Sequence, residues 1–285
     1  MKGLTGILAF AIMLFGAVVL LAQTPEWEWV YGAGGVSYDF SESIAVDSSG
    51  NSYVTGFFEG TASFGATTLT SSGGRDIFIS KQDSDDNFLW VMNAGGLLYD
   101  HGYGIAVDSS GNIYVTGVFT GTASFGANTL SCTSCGFFDI FVCKLDANGN
   151  FLWAKKAGGT GQDYGYSIAM DSAGNSYVTG NFRGTARFGA TTLTSSGSED
   201  IYVCKLDPNG NFIWAKKAGG SSNDYGKSID VDSAGNCYVT GYFYGTASFG
   251  ATTLTSSGEK EILACKLDPN GNFLWAKKAG GMSYD

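Results

Sequence analysis

Few residues in this sequence could do chemistry, and nearly all of those recur at a fixed interval. His101 is the single histidine. A Ser-His-Asp or Cys-His mechanism would depend on it alone. It sits in "YDHGYG", where the other copies of the same text carry Phe40, Tyr164 and Tyr225 after an Asp. That reads as one aromatic-sized side chain among others. Three acidic series repeat. Asp47, Asp108, Asp171 and Asp232 open "DSSGN" or "DSAGN"; Asp39, Asp100, Asp163 and Asp224, with Asp285 after them, form a second series; Asp76, Asp139, Asp200 and Glu261 form a third. The "DSSGN", "DANGN" and "DPNGN" stretches look like the front half of a calcium loop but lack the downstream acid that completes one. Asp and Asn beside Gly are also what a tight turn requires. Calcium therefore stays open, and no cofactor is otherwise expected. Carboxylates repeated at a fixed period suit loop bonding better than a catalytic pair, because chemistry needs unlike groups in one place. No catalytic residue is assigned.

Six cysteines are present. Cys143, Cys204 and Cys265 fall on one repeat position and should be too far apart to bridge. They read, with Cys237, as small buried apolar side chains. Cys132 and Cys135 lie in "SCTSCG", in a loop two residues longer than its counterparts. They could form a local disulfide; a metal site would need two further ligands. The many "AGG" and "SSGG" stretches do not follow a strand and open a helix, so they carry no nucleotide signal.

The elements behind these residues follow from the repeat. Trp29, Trp90, Trp153, Trp214 and Trp275 are spaced by 61, 63, 61 and 61 residues. The copies run 29–89, 90–152, 153–213 and 214–274, with a fifth begun at 275–285. Within one copy, "SIAMD" (Ser167 to Asp171), "SYVTGNF" (Ser176 to Phe182), "DIYVCKLD" (Asp200 to Asp207) and "NFIWAKKAG" (Asn211 to Gly219) read as four antiparallel strands joined by Gly-containing turns. The stretch "GTARFGATTLTSSG" reads as an excursion able to hold a hairpin of its own. The strands are apolar on both faces and must be sandwiched between neighbours. Four-stranded sheets packed in series give a β-propeller. Five fourth strands for four sets of the others, and a stop at "GGMSYD", predict an incomplete propeller: an open arc of four blades with exposed edges, or a strained ring with a spare strand.

Composition bounds the rest. With 43 Gly among 285 residues, tight turns are frequent. A net charge of −10 offers no basic patch for nucleic acid. Lys2 followed by the apolar run from Leu4 to Ala22 reads as a secretory signal spanning 1–22, leaving 23–285 as the repeat domain with no membrane insertion after cleavage.

The text "DYGYSIAMDSAGNSYVTGNFRGTARFG" followed by "DIYVCKLDPNGNFIWAKKAGG" resembles the SBBP repeat, a bacterial β-propeller repeat family, over essentially all of residues 27–285. The resemblance implies an exported, often cell-surface protein, and no catalytic residues to carry over. The repeated Trp is similar to the tryptophan-docking motif of quinoprotein propellers, though one residue shorter between Asp and Gly, and is expected to wedge between blades. The expectation is thus a secreted or surface non-enzymatic scaffold that binds protein or glycan. A propeller enzyme, quinoprotein-like or polysaccharide-cleaving, and a passive spacer are the alternatives; a free sheet edge would favour self-association.

Overall fold

The computed structural model describes residues 32–134 and 136–281. The expected signal segment, Trp29 and Cys135 lie outside them. Every regular element among the described residues is a β-strand. Each blade takes its fourth strand from the start of the following copy and is numbered here with the copy that supplies the other three; in the third the strands are Tyr164–Met170, Ser176–Phe188, Thr191–Leu206 and Phe212–Gly220, paired antiparallel in that order. The first copy (Phe40–Val46, Ser52–Phe64, Thr67–Gln82, Phe88–Gly96) and the fourth (Asp224–Val231, Cys237–Phe249, Thr252–Leu267, Phe273–Ala279) follow the same plan.

The excursion holds the hairpin the sequence allowed: Thr185, Ala186, Arg187 and Phe188 pair with Thr194, Leu193, Thr192 and Thr191. In these three copies it continues the second and third strands, 13 and 16 residues long, past an irregularity such as that between Arg183 and Thr185. Only in the second copy, where the loop is longer, does it break away, as Thr122–Phe125 and Asn128–Ser131 beyond Ile113–Phe119 and Asp139–Leu145.

The outward extension also links blades. The fourth strand of the second copy, Phe151–Gly159, crosses onto the third copy's extension, with Gly158 opposite Arg187 and Gly159 opposite Ala186. This explains "AGG". Gly158 holds φ +140°, and a Cβ on Gly159 would lie 1.7 Å from the Thr185 carbonyl oxygen, so only glycine fits both places.

The core lies between blades. One cluster joins Ile140, Val142 and Tyr114 of the second copy to Ile168, Val178 and Phe182 of the third; another joins Ile201 and Tyr177 to Ile229, Val239 and Phe243. The interior blades thus bury both faces against their neighbours, as two-sided apolar strands require. The row does not close: Ile44 of the first copy is 62% exposed and Ile262 of the fourth is 47% exposed, where their interior counterparts Ile105 and Ile201 are 6% and 1% exposed. Of the two expected forms this is the open arc, not the strained ring.

Candidate functional site

Each blade has two ends, and the residues singled out by sequence divide between them. At one end lie the turns. Asp171 Oδ1 accepts from the backbone N–H of Ala173 and Asn175, and its Oδ2 accepts from Asn175 Nδ2 and the Tyr177 hydroxyl, all within 2.7–3.1 Å. Asp47 and Asp232 repeat the pattern; Asp108 does too, with Tyr114 at 3.3 Å. The carboxylate oxygens that a calcium ion would need are engaged by the turn itself. Among the described residues no three Asp, Glu, His or Cys side chains converge as a metal cluster. Hydrogen bonds from Asn211 hold the Asp207 carboxyl below its usual range, and those from Asn236 bring Asp232 down to about 2.

The tryptophans close this end. Trp90, Trp153 and Trp214 donate Nε1–H to the carbonyls of Ala147, Pro208 and Pro269 in the next blade's turn, at 3.1, 3.1 and 3.0 Å. The ring also lies on the next turn's glycine: a Cβ on Gly210 would sit 2.9 Å from the Trp153 ring. The expected wedge is therefore a dock onto the following blade, repeated at each junction.

The cysteines Cys143, Cys204, Cys237 and Cys265 are free and buried, and burial raises each thiol. Cys132 is also free; its Sγ donates to the Phe119 carbonyl at 3.1 Å. Its expected partner Cys135 lies outside the described residues.

At the opposite end, the second and third acidic series bond loop backbone. Asp163 accepts from Gly159 N at 2.7 Å and Arg183 N at 3.1 Å; Asp100 does the same with Gly96 and Thr120, and Asp224 with Gly220 and Tyr244. Asp76, Asp139 and Asp200 accept from Ser72, Thr133 and Ser196, and Glu261 from Ser257. Burial, only partly offset by the backbone N–H donors, pushes Asp100, Asp163 and Asp224 up to about 7, and a neighbouring buried carboxylate adds to it.

Beside these repeated acids is a rim where the copies stop agreeing. Cross-strand register brings the differing positions side by side: Phe40 faces Phe57, Tyr164 faces Asn181 and Tyr225 faces Tyr242, while Glu59 faces Arg75, Arg183 faces Glu199 and Tyr244 faces Lys260. The rings continue from blade to blade. His101 stacks on Tyr103 at 4.1 Å and meets Phe57 edge-on at 4.3 Å; Tyr103 meets Tyr166 at 5.4 Å. Lys227 Nζ lies 3.6 Å over the Tyr166 ring, and Lys260 Nζ 3.9 Å over Tyr242. Arg75 covers Phe57 at 4.4 Å and Tyr99 at 5.6 Å. His101 Nε2 lies 3.0 Å from Glu42 Oε1, and burial takes its pKa down to about 4. It packs among rings at the place that Phe40, Tyr164 and Tyr225 hold in the other copies.

Two rim-end residues of the third copy are polar where other copies are apolar or aromatic. Asn181, fully buried, replaces Phe57, Val118 and Tyr242, and neither amide atom has a partner. Tyr202, whose buried hydroxyl is also unpartnered, replaces Phe78, Phe141 and Leu263. The copies therefore differ in the interior as well as in the length of the Cys132 loop. The signal was present in the sequence as differences between copies.

The repeat text now has a family. A model described as beta-propeller repeat, SBBP, matches residues 29–56, 90–118, 152–181 and 213–242. The chain belongs to the SBBP β-propeller repeat family. Among curated proteins, this SBBP chain is 26% identical over 240 residues to an uncharacterized WD repeat-containing protein, L264, of Acanthamoeba polyphaga mimivirus, covering 70% of this chain and 17% of that protein. It is 27% identical over 166 residues to the regulatory protein FlaEY of Caulobacter vibrioides, covering 56% of this chain and 17% of that protein. The chain thus spans about a sixth of the length of these relatives. A crystal structure of a protein of unknown function from Bacteroides caccae superposes with a TM-score of 0.39 at 12% identity, over 85% of this chain and 84% of that one.

Proposed function

We propose that this SBBP chain is an exported scaffold, without catalysis of its own, that takes a protein or glycan ligand on its rim. One observation carries the reading. In four blades with nearly the same text, a set of the differences falls on one rim, and those differences lie next to one another across strands and across blades. Repeat architectures keep the contacts between repeats constant and vary the surface they offer a partner. The rim chemistry suits that task. Half-buried tyrosines supply broad faces at low entropy cost, and Lys227, Lys260, Glu199 and Glu42 supply charges of both signs. The absence of a catalytic assignment is part of the same proposal: His101 is occupied by ring stacking and Glu42, and the repeated carboxylates by backbone N–H groups.

The test is to apply the purified chain to a glycan microarray and to a panel of immobilised extracellular proteins, beside a Lys227→Glu, Lys260→Glu variant. Binding by the wild type that drops at least tenfold in the variant supports the reading. Silence on both surfaces, or equal binding by both proteins, contradicts it. Export is tested separately, by fractionating expressing cells and determining the mature N-terminus; cleavage after Ala22 is expected.

A further inference from the structure

Two departures from the repeat meet away from the rim rings. The first is the longer loop of the second copy, held down by Thr133 N donating to Asp139 Oδ2 at 2.7 Å and by Lys156 Nζ donating to the Ser131 carbonyl at 2.6 Å. The second is Arg187, which stands where the other copies carry Ser63, Ser124 and Ser248. Register puts Arg187 opposite Gly158 on the strand that joins the second blade to the third. Lys156 precedes Gly158 by two residues, and side chains two apart share a face of a strand. Lys156 and Arg187 line one cleft of about 510 Å³ together with Thr133, Thr185, Gly158 and Gly159; a Cβ on Gly158 would meet the Asp139 and Asp163 carboxylates.

The charges there are unequal. Lys156 lies 4.0 Å from the buried Asp139 carboxylate and is partly neutralised. None of the ion pairs among the described residues involves Arg187. In a chain of net charge −10, this cleft carries an uncompensated guanidinium, whose planar fork fits a carboxylate or sulfate. The cleft is larger than a free ion would need and has threonine hydroxyls and aliphatic lysine and arginine stems in its walls.

We propose that this cleft binds an acidic saccharide, its carboxylate or sulfate oxyanion on Arg187 and Lys156 and its ring between them. The inference does not rest on the rim reading. The experiment is a titration of ¹⁵N-labelled chain with galacturonate, glucose 6-sulfate and neutral glucose at constant ionic strength. It follows Arg187 Nε–H and the amides of Gly158, Gly159 and Thr160. Saturable shifts confined to this cleft are expected with at least one acidic sugar, and the sugar that responds identifies the oxyanion. Arg187→Ser, which installs the residue of the other copies, should weaken that binding tenfold or more, and Lys156→Gln severalfold. No saturable shift, equal shifts with glucose, shifts spread over all basic side chains, or unchanged affinity in a folded Arg187→Ser variant would overturn the proposal.

Discussion

The two ends of each blade teach different lessons. At the turn end the copies agree, and each contact is made in the same way at every junction: Asp to turn amides, tryptophan to the next turn's carbonyl. At the rim the acids that hold the loops agree, while the side chains around them change. Identical contacts are what stacking identical blades demands. Differing side chains packed next to one another are what recognition of an asymmetric partner demands. If this division is right, substitutions at the turn end should move stability alone, and substitutions of differing rim residues should move binding first.

The largest effect is expected at the tryptophan dock. Trp153→Ala removes the ring from Gly210 and the hydrogen bond to Pro208, and should cost about 3 kcal/mol in urea unfolding. Any ligand affinity of the folded fraction should stay unchanged. Asp163→Ala comes next. It strands the N–H groups of Gly159 and Arg183, and about 2 kcal/mol of destabilisation is expected. Destabilisation as large from a rim lysine as from either would erase the comparison.

The two ends should also titrate in opposite senses. Asp100, Asp163 and Asp224 have folded pKa values raised to about 7, above an unfolded value near 3.9. The folded state therefore holds more protons between those limits. The contribution of these groups is fully present below the unfolded value and is lost as pH rises through about 7. The turn acids are depressed, Asp232 to about 2, so their contribution is present above the unfolded value and lost as pH falls toward 2. The urea midpoint should therefore rise as pH is lowered from 8 to about 5, then fall below about 4. A midpoint that climbs from pH 5 to 8 would contradict the burial of the rim acids.

A smaller effect sharpens the comparison. Asn181→Val installs an apolar side chain like Val118 and removes two unpartnered buried polar atoms. It should gain about 1 kcal/mol in urea unfolding. Smallest of all is Asp86→Gly. Asp86 holds φ +65° in the turn where other copies place Gly149, Gly210 and Gly271, and relief of that conformation should gain about 0.5 kcal/mol.

How much could be read in advance follows the same division. The turns and docks were legible because their chemistry is local, written as Asp, Gly and Asn within five residues, or as one tryptophan per copy. The blade count and the four-strand order were legible because the text repeats. The outward run of the second and third strands was not. It depends on whether the chain from Gly184 to Gly197 leaves the sheet or continues it, and only tertiary pairing decides. Nor was the link of Gly158 and Gly159 to the next blade, since its partner lies in another copy. The rim was missed for a subtler reason. Phe40, His101, Tyr164 and Tyr225 each pass as tolerated variants one by one, and only cross-strand register shows that they share an end with Asn181, Glu199 and Lys260.

The most direct test of the division is one array experiment with three proteins: the wild type, the Lys227→Glu, Lys260→Glu rim variant, and a turn-end variant, Lys205→Ala, which removes the cation 3.6 Å from Asp171. The account predicts that the wild type and Lys205→Ala bind the same glycan or protein with equal affinity, and that the rim variant loses at least tenfold. Binding retained by the rim variant and lost by Lys205→Ala would place recognition at the turn end and contradict it.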